Sequence, residues 1–181
     1  MNRYGYIVLD RTIYFASNRM RKELQDRLYE KYPEIFKNKD GDSKETLMCF
    51  GICCGDGWYF LINNLCKSIK NYVEWKNRVA KPEEDQCGIS VVAEQVKQKY
   101  GSLRFYVNGG DDYVHGLIAM AESMSKNICE HTGNFGIIRG HVRLACTSFD
   151  NAKRCATQEE IDLVYNRVLE MEKESAENIS P

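Results

Sequence analysis

The clearest pattern of alternating apolar and polar positions lies at residues 89–108, where it predicts a β-hairpin. Its two runs meet at Gly101-Ser102, and a Gly-X pair suits a type II′ turn because glycine adopts a positive φ at no steric cost. That turn predicts three opposing pairs in the hairpin, Tyr100 with Leu103, Gln98 with Phe105 and Val96 with Val107.

The register divides the hairpin into two unlike faces. The apolar face, which we expect to pack on the core, carries Val92, Val96, Tyr100, Leu103, Phe105 and Val107. The opposite face is polar and basic with one aromatic ring, and its expected pairs are Lys99 with Arg104, Lys97 with Tyr106 and Gln95 with Asn108.

Two helices are predicted before the hairpin. The first begins after Ser17, a potential N-cap, and ends at Pro33, with Met20, Leu24, Leu28 and Tyr32 on one stripe. The second begins at Gly55-Asp56-Gly57, with Asp56 as its expected cap. Its apolar positions keep a 3.6-residue period through Trp58, Leu61, Ile62, Leu65, Ile69, Tyr72 and Val73.

Two more helices are predicted after the hairpin. Asp111-Asp112 is placed to cap a third helix, whose apolar positions are Val114, Leu117, Ile118, Ala121 and Ile128, with Met120 and Met124 close to that stripe and expected to pack. Thr157 with Glu160 forms a capping box for the last one. We therefore predict an α+β fold: a small antiparallel sheet built on the hairpin, with packed helices and a loop-rich extension.

Length and charge narrow the classes of function. The 181 residues suit an α+β core at 1–128, an extension at 129–156 and a C-terminal helix and tail at 157–181.

The formal net charge of −1 provides no global field to attract nucleic acid or anionic lipid, so nucleic acid is not the expected partner. Because no apolar run reaches the ~20 residues of a membrane span and no signal-peptide pattern opens the chain, we expect a cytoplasmic protein without a membrane partner.

The eight cysteines could indicate a disulfide scaffold. We expect buried thiols instead, because a chain of this length with a full apolar complement does not need cross-links.

Four strings resemble a widespread group of small phage and prophage proteins of unknown function. They are KYPEIF (31–36), MCFGICCGDGWYFLINNLC (48–66), QVKQKYGSLRFYV (95–107) and SKNICEHTG (125–133), and in order and spacing the likeness covers roughly residues 28 to 150. The resemblance implies a phage or mobile-element origin and a cytosolic α+β fold, without an established activity.

Members of that group commonly end in a Cys-x-x-Cys zinc knuckle. Here its four ligand positions fall on Cys129, Thr132, Cys146 and Phe149, so two ligands are lost and we expect no metal or other cofactor. We therefore expect a knuckle held by packing or hydrogen bonds, and the alternative is zinc bound by Cys129 and Cys146 with His131, His141 or Cys155 recruited.

No recognised catalytic motif is present, and a binding protein is expected rather than an enzyme. A nucleophile at Cys53 or Cys54 with His115 or His141 as its base, and an acid–base pair at Asp111 and Asp112, are possible catalytic groups that no motif ties together. The enzyme alternative is a phosphoester hydrolase built on the Gly55 turn with Asp56.

The polar hairpin face is the preferred binding site. Lys97, Lys99 and Arg104 around Tyr106 would clamp an anion beside a stacking ring, and an ordinary solvated face is the competing interpretation. We predict a groove between this face and the Gly55–Trp58 turn, with Gln95 at its side. The predicted function is a phage accessory protein, active against host defence, that captures a nucleotide-like anion or a host defence protein.

Two alternatives concern other parts of the chain. The extension gathers basic residues for a nucleic-acid or protein interaction module: Arg139, His141, Arg143, Lys153 and Arg154, near Phe135. A homodimer would form if the hairpin left an unpaired edge.

Overall fold

An antiparallel hairpin lies at the centre of the fold. In the computed structural model, which describes residues 19–80, 88–139, 146–149 and 158–177, strand β1 (Val91–Lys99) pairs with β2 (Ser102–Gly109). The other elements are α1 (Lys22–Lys31), α2 (Tyr59–Val79), α3 (Asp112–Ser125), β3 (Gly136–Arg139), β4 (Cys146–Phe149) and α4 (Gln158–Glu177). The predicted α+β class is confirmed.

The turn of the hairpin lies one residue earlier than the sequence predicts. Tyr100 and Gly101 both have positive φ, at 56° and 77°, which is the pattern of a type I′ turn rather than a II′ turn at Gly101-Ser102. The predicted pairing was therefore wrong by two residues, since Val96 faces Phe105, Gln98 faces Leu103 and Lys97 faces Arg104. Gly101 is needed here because an added Cβ would lie 2.7 Å from the Ile138 side chain.

A shift of two residues leaves each side chain on its predicted face. Val96, Leu103 and Phe105 are buried in the core as expected, whereas Tyr100 is 47% exposed at the turn. The strand pairing is irregular between Ala93 and Gln95, which reverses the alternation of faces before this point. Val91 and Ala93 therefore belong to the core cluster, whereas Val92, which was predicted on the apolar face, lies opposite Asn108 and does not belong to that cluster.

The helices cover the apolar face and one edge of the hairpin. Met20, Leu24, Leu28 and Tyr32 are all buried as predicted, but the helix start expected after Ser17 was wrong, because α1 begins at Lys22 and Met20 precedes it. Helix α2 adds Ile62, Leu65 and Ile69 to the same cluster, and α3 packs against both β2 and α2 through Val114, Ile118 and Ala121. The prediction that α3 reaches Ile128 was wrong, because the helix ends at Ser125, and Met120 and Met124 are exposed rather than packed.

Other parts of the chain bond both outer edges of the hairpin. On β1, the Ala93 N–H donates to the Ile35 carbonyl at 2.7 Å, and Cys53 forms a parallel bridge with Lys97. On β2, the N–H groups of Leu103 and Phe105 donate to the side chains of Ser125 and Glu122. The condition for a dimer through an unpaired hairpin edge is therefore not met at these positions.

The predicted helix starts had different outcomes. Asp111 caps α3, because its carboxylate accepts from the Val114 N–H at 3.2 Å. The expectation that Asp56 caps α2 was wrong: Asp56–Trp58 forms a 3₁₀ turn before α2, and neither start has a side-chain cap. Ser17, Thr157 and the Glu160 side chain lie outside the described residues.

A second two-stranded sheet, β3 with β4, falls within the region predicted to be rich in loops. No helix in the described ranges is long and apolar enough to cross a lipid bilayer.

Candidate functional site

The polar face of the hairpin is formed as the sequence predicts, with different neighbours across the strands. Gln95 lies opposite Tyr106 and Lys97 opposite Arg104. Tyr106 is 43% exposed, and the Lys97 Nζ lies 5.6 Å from the centroid of its ring. A cation therefore lies beside an accessible aromatic ring, although the two residues are diagonal and not directly opposed.

Arg104 is held within the protein. Its Nη1 donates to the Ser102 hydroxyl at 2.8 Å and to the Leu103 carbonyl at 2.7 Å, and it lies 3.6 Å from a carboxylate oxygen of Glu122. The guanidinium thus has an internal counter-charge, and the predicted role of Arg104 as an anion ligand is weakened.

Lys99 lies at the turn end of this face. Its Nζ is 5.4 Å from the ring centroid of Tyr100, whereas Lys97 is the cation beside Tyr106. The three predicted cations therefore have three different neighbours.

A cavity of about 310 Å³ opens beside Tyr106. Its lining consists of Ser43, Lys44, Glu45, Thr46, Leu47, Glu94, Gln95 and Tyr106. The loop at 43–47 is attached to β1 because the Leu47 N–H donates to the Glu94 carbonyl at 3.1 Å, with the Thr46 hydroxyl 3.4 Å from the same oxygen. Of the predicted site residues, Gln95 and Tyr106 are those that line this cavity.

The Gly55–Trp58 turn lies in the interior rather than beside the cavity. The Gly57 N–H donates to the Glu130 carbonyl at 2.8 Å, and a Cβ at Gly57 would lie 2.4 Å from the backbone N of Gly133. Trp58 is fully buried and donates its indole N–H to the Ile128 carbonyl at 2.8 Å. These residues join two chain segments, and none of them lines the cavity beside Tyr106.

Acidic and thiol groups gather around this turn. Glu130 is fully buried, with one oxygen 3.8 Å from the Nε2 of His131. Burial lowers the pKa of His131 and raises the pKa of the Cys54 thiol, to which the Glu130 charge also contributes. Such a thiol stays protonated at neutral pH and is a poor nucleophile.

The weak metal candidates remain a prediction. Cys129 is fully buried and its N–H donates to the Asn134 carbonyl at 2.7 Å, while the Cys146 side chain lies outside the described residues. Within the described part of the chain, no group of three or more His, Cys, Asp or Glu residues could hold an ion.

Among the described residues, the other predicted catalytic groups have separate roles and surroundings. Asp111 is used in the α3 cap, and His115 is exposed on that helix. Cys53 is half-buried, and burial raises its pKa although the nearby Arg19 and Lys97 act in the opposite direction. His141, Arg143, Lys153 and Arg154 lie outside the described residues, as does the Arg139 side chain.

The sequence did not indicate Lys44, Thr46 and Glu94 as neighbours of Tyr106. They reach the cavity through the attachment of a distant loop to β1, which the local sequence pattern does not encode.

No family model, no curated protein and no solved structure matches this chain.

Proposed function

We propose that the chain is a non-enzymatic binding protein that holds a small nucleotide-like anion against Tyr106 on the polar hairpin face. The observation that carries this proposal is the half-exposed Tyr106 ring, which has the Lys97 cation beside it and borders a cavity of about 310 Å³. Aromatic stacking of a base contributes about 1–3 kcal/mol, and an adjacent ammonium is suited to a phosphate.

The mixed charge of the cavity favours a nucleotide over a bare phosphate. Lys44 and Lys97 supply cations, whereas Glu45 and Glu94 place carboxylates in or near the same space. A carboxylate repels phosphate but accepts hydrogen bonds from ribose hydroxyls and base amino groups. A ligand that combines a base, a sugar and a phosphate is complementary to both sets of groups.

The biological setting of the proposal depends on the resemblance to small phage proteins. It supports a phage accessory protein in the host cytoplasm that binds a nucleotide signal of host immunity. Capture of a host defence protein is the second candidate, favoured by two exposed tyrosines, Tyr106 on the polar face and Tyr100 at the hairpin tip.

The test is a calorimetric titration of the purified chain with mononucleotides, cyclic nucleotides and inorganic phosphate. Tyr106→Ala and Lys97→Glu should each weaken nucleotide binding by about tenfold to a hundredfold, because one removes the stacking ring and the other reverses the neighbouring charge. Lys99→Glu is the matched control, since Lys99 contacts Tyr100 at the turn and should leave affinity nearly unchanged.

Arg104 is unsuitable for charge reversal, because a glutamate there would face Glu122 and destabilise the fold. Absence of binding by every nucleotide would overturn the proposal. Binding that survives both Tyr106→Ala and Lys97→Glu would place the ligand elsewhere, and inorganic phosphate binding as tightly as nucleotides would remove the base from the argument.

A further inference from the structure

Helix α3 presents an apolar stripe to solvent. Tyr113, Met120 and Met124 are 56%, 57% and 48% exposed, and Gly116 between them is exposed as well. These positions recur three and four residues apart, so they share one face of the helix. The buried residues Val114, Ile118, Ala121 and Ser125 lie on another face of α3.

The stripe is complementary to itself when two copies run antiparallel. Tyr113 then lies opposite Met124 of the other copy, and Gly116 lies opposite Met120, both pairs being centred near residue 118. A methionine sulfur packs favourably on an aromatic ring. Gly116 leaves space for the facing methionine, because nothing lies within 4 Å of the position that its Cβ would occupy.

Charge supports the same direction of packing. Asp112, the first residue of α3, and Lys126, which follows its last residue, are both exposed. At 100° per residue they fall on the same flank of the stripe, and in antiparallel helix pairs like flanks meet. Asp112 of each copy therefore approaches Lys126 of the other, with a midpoint that again falls near residue 118. A parallel arrangement would leave Asp112 and Lys126 at opposite ends of the helix pair, without this contact.

Aromatic side chains from α2 extend the stripe beyond the start of α3. The rings of Tyr72 and Tyr113 lie 4.3 Å apart between centroids, and the ring of Trp75, which is 53% exposed, lies 5.9 Å from that of Tyr72. Large aromatic residues at a protein surface are the usual anchors of protein interfaces.

We propose that this face is an isologous dimer interface, in which α3 packs antiparallel against α3 of a second copy of the chain about a two-fold axis near residue 118. Two equal Asp112–Lys126 contacts flank the Met120–Gly116 centre. This surface is separate from the cavity beside Tyr106 and does not depend on the ligand proposed for it.

The test measures the mass of the full chain by light scattering over a dilution series. The wild type should show twice the chain mass of 20.9 kDa, and Met120→Glu should weaken dimerisation by about a hundredfold or more because it buries two charges on the axis. Leu163→Glu, at a 71% exposed apolar position of α4, is the matched control and should remain dimeric. Tyr113→Ala, a second variant, should also weaken the dimer.

Charge reversal tests the antiparallel register itself. Asp112→Lys and Lys126→Asp should each weaken dimerisation about fivefold to tenfold, and the double variant should regain most of the loss. A wild type that stays monomeric at every concentration, or a dimer that Met120→Glu leaves intact, would overturn the interface. Failure of the double variant to recover would overturn the antiparallel arrangement.

Discussion

The Asp56 carboxylate accepts a hydrogen bond from the backbone N–H of Arg21 at 2.8 Å, and the Arg21 Nε lies 3.1 Å from its second oxygen. Arg21 immediately precedes α1, so Asp56 caps a helix 35 residues earlier in the chain. The same guanidinium pairs with Asp162 of α4 and lies 4.3 Å over the ring of Tyr165. One carboxylate thereby connects α1, the start of α2 and α4.

We predict that Asp56→Ala lowers the free energy of unfolding by about 2 kcal/mol, because it removes a cap and leaves Arg21 without its buried partner. Asp56→Asn should cost less, since an amide oxygen can still accept from the Arg21 N–H. Asp26→Ala, which removes an exposed pair with Lys22, is the control and should cost about 0.5 kcal/mol or less. Equal losses for Asp56→Ala and Asp26→Ala in urea denaturation would contradict this assignment.

The glycine at position 57 permits a close backbone contact, and we predict that Gly57→Ala is strongly destabilising. Its new methyl group would meet the backbone of Cys129, Thr132 and Gly133 at 2.4 to 2.7 Å, and backbone cannot move aside as a flexible side chain can. We expect a loss of about 3 kcal/mol, at the upper end of overpacking costs.

Gly116→Ala is the matched control for Gly57→Ala. A Cβ added at position 116 would have no neighbour within 4 Å, and the residue lies inside α3, so alanine should stabilise the helix by about 0.5–1 kcal/mol. Both variants are compared by denaturant midpoint at a concentration where light scattering shows monomers. A neutral Gly57→Ala would mean that residues 129–133 do not pack on this turn.

Sequence reasoning found the helices and strands whose patterns are local. The α1 stripe, the α3 cap at Asp111 and the two hairpin faces all follow from spacing within a few residues, and all are present. The role of Asp56 could not be found in this way, because its partner Arg21 is distant in the chain. A local rule assigned the carboxylate to the nearest helix.

The predicted position of the hairpin turn was wrong for a different reason, and that reason yields a testable prediction. Tyrosine is seldom found at positive φ, so the Tyr100-Gly101 pair did not indicate a type I′ turn. Asparagine adopts this conformation readily, and we predict that Tyr100→Asn raises stability by about 0.5–1 kcal/mol. Gly101→Ala should lower it through both its φ of 77° and the contact with Ile138. A destabilised Tyr100→Asn in thermal melts would contradict the turn position.

The candidate site was predicted in part. Because the register error was an even number of residues, Gln95, Lys97 and Tyr106 stayed on one face, and the cation beside the aromatic ring was anticipated. The cavity wall at 43–47 comes from a loop that has no periodic pattern, and the internal use of Arg104 depends on Glu122 of α3. Both are tertiary features that a one-dimensional pattern does not specify.

The cap of α3 should make stability depend on pH. Hydrogen bonds from Lys76 and then Tyr72 hold the pKa of the Asp111 carboxyl well below its ordinary 3.8, so the folded protein keeps this charge to a lower pH than the unfolded chain. The resulting stabilisation is complete above the unfolded-state pKa and is lost as the pH falls through the folded-state pKa.

The matching variant is Asp111→Asn, which keeps a capping oxygen but not the charge. The difference in unfolding free energy between wild type and Asp111→Asn should be largest near neutral pH and shrink below about pH 4. Tyr72→Phe removes one of the two hydrogen bonds and should reduce this pH-dependent difference. Urea denaturation at several pH values measures it, and a difference that grows on acidification would show that the sign is wrong.

The covering of the β2 edge by α3 can be tested at a single amide. The Phe105 N–H donates to a carboxylate oxygen of Glu122 at 3.0 Å, so Glu122→Ala leaves this donor without its acceptor. We expect a loss of about 1–2 kcal/mol and faster hydrogen exchange at the Phe105 amide, measured by NMR. Glu122→Gln keeps an acceptor and should retain most of the protection, and Ser123→Ala, an exposed neighbour on α3, should change neither quantity. If the Phe105 amide exchanges equally slowly in Glu122→Ala, another group protects this edge and the helix does not close it.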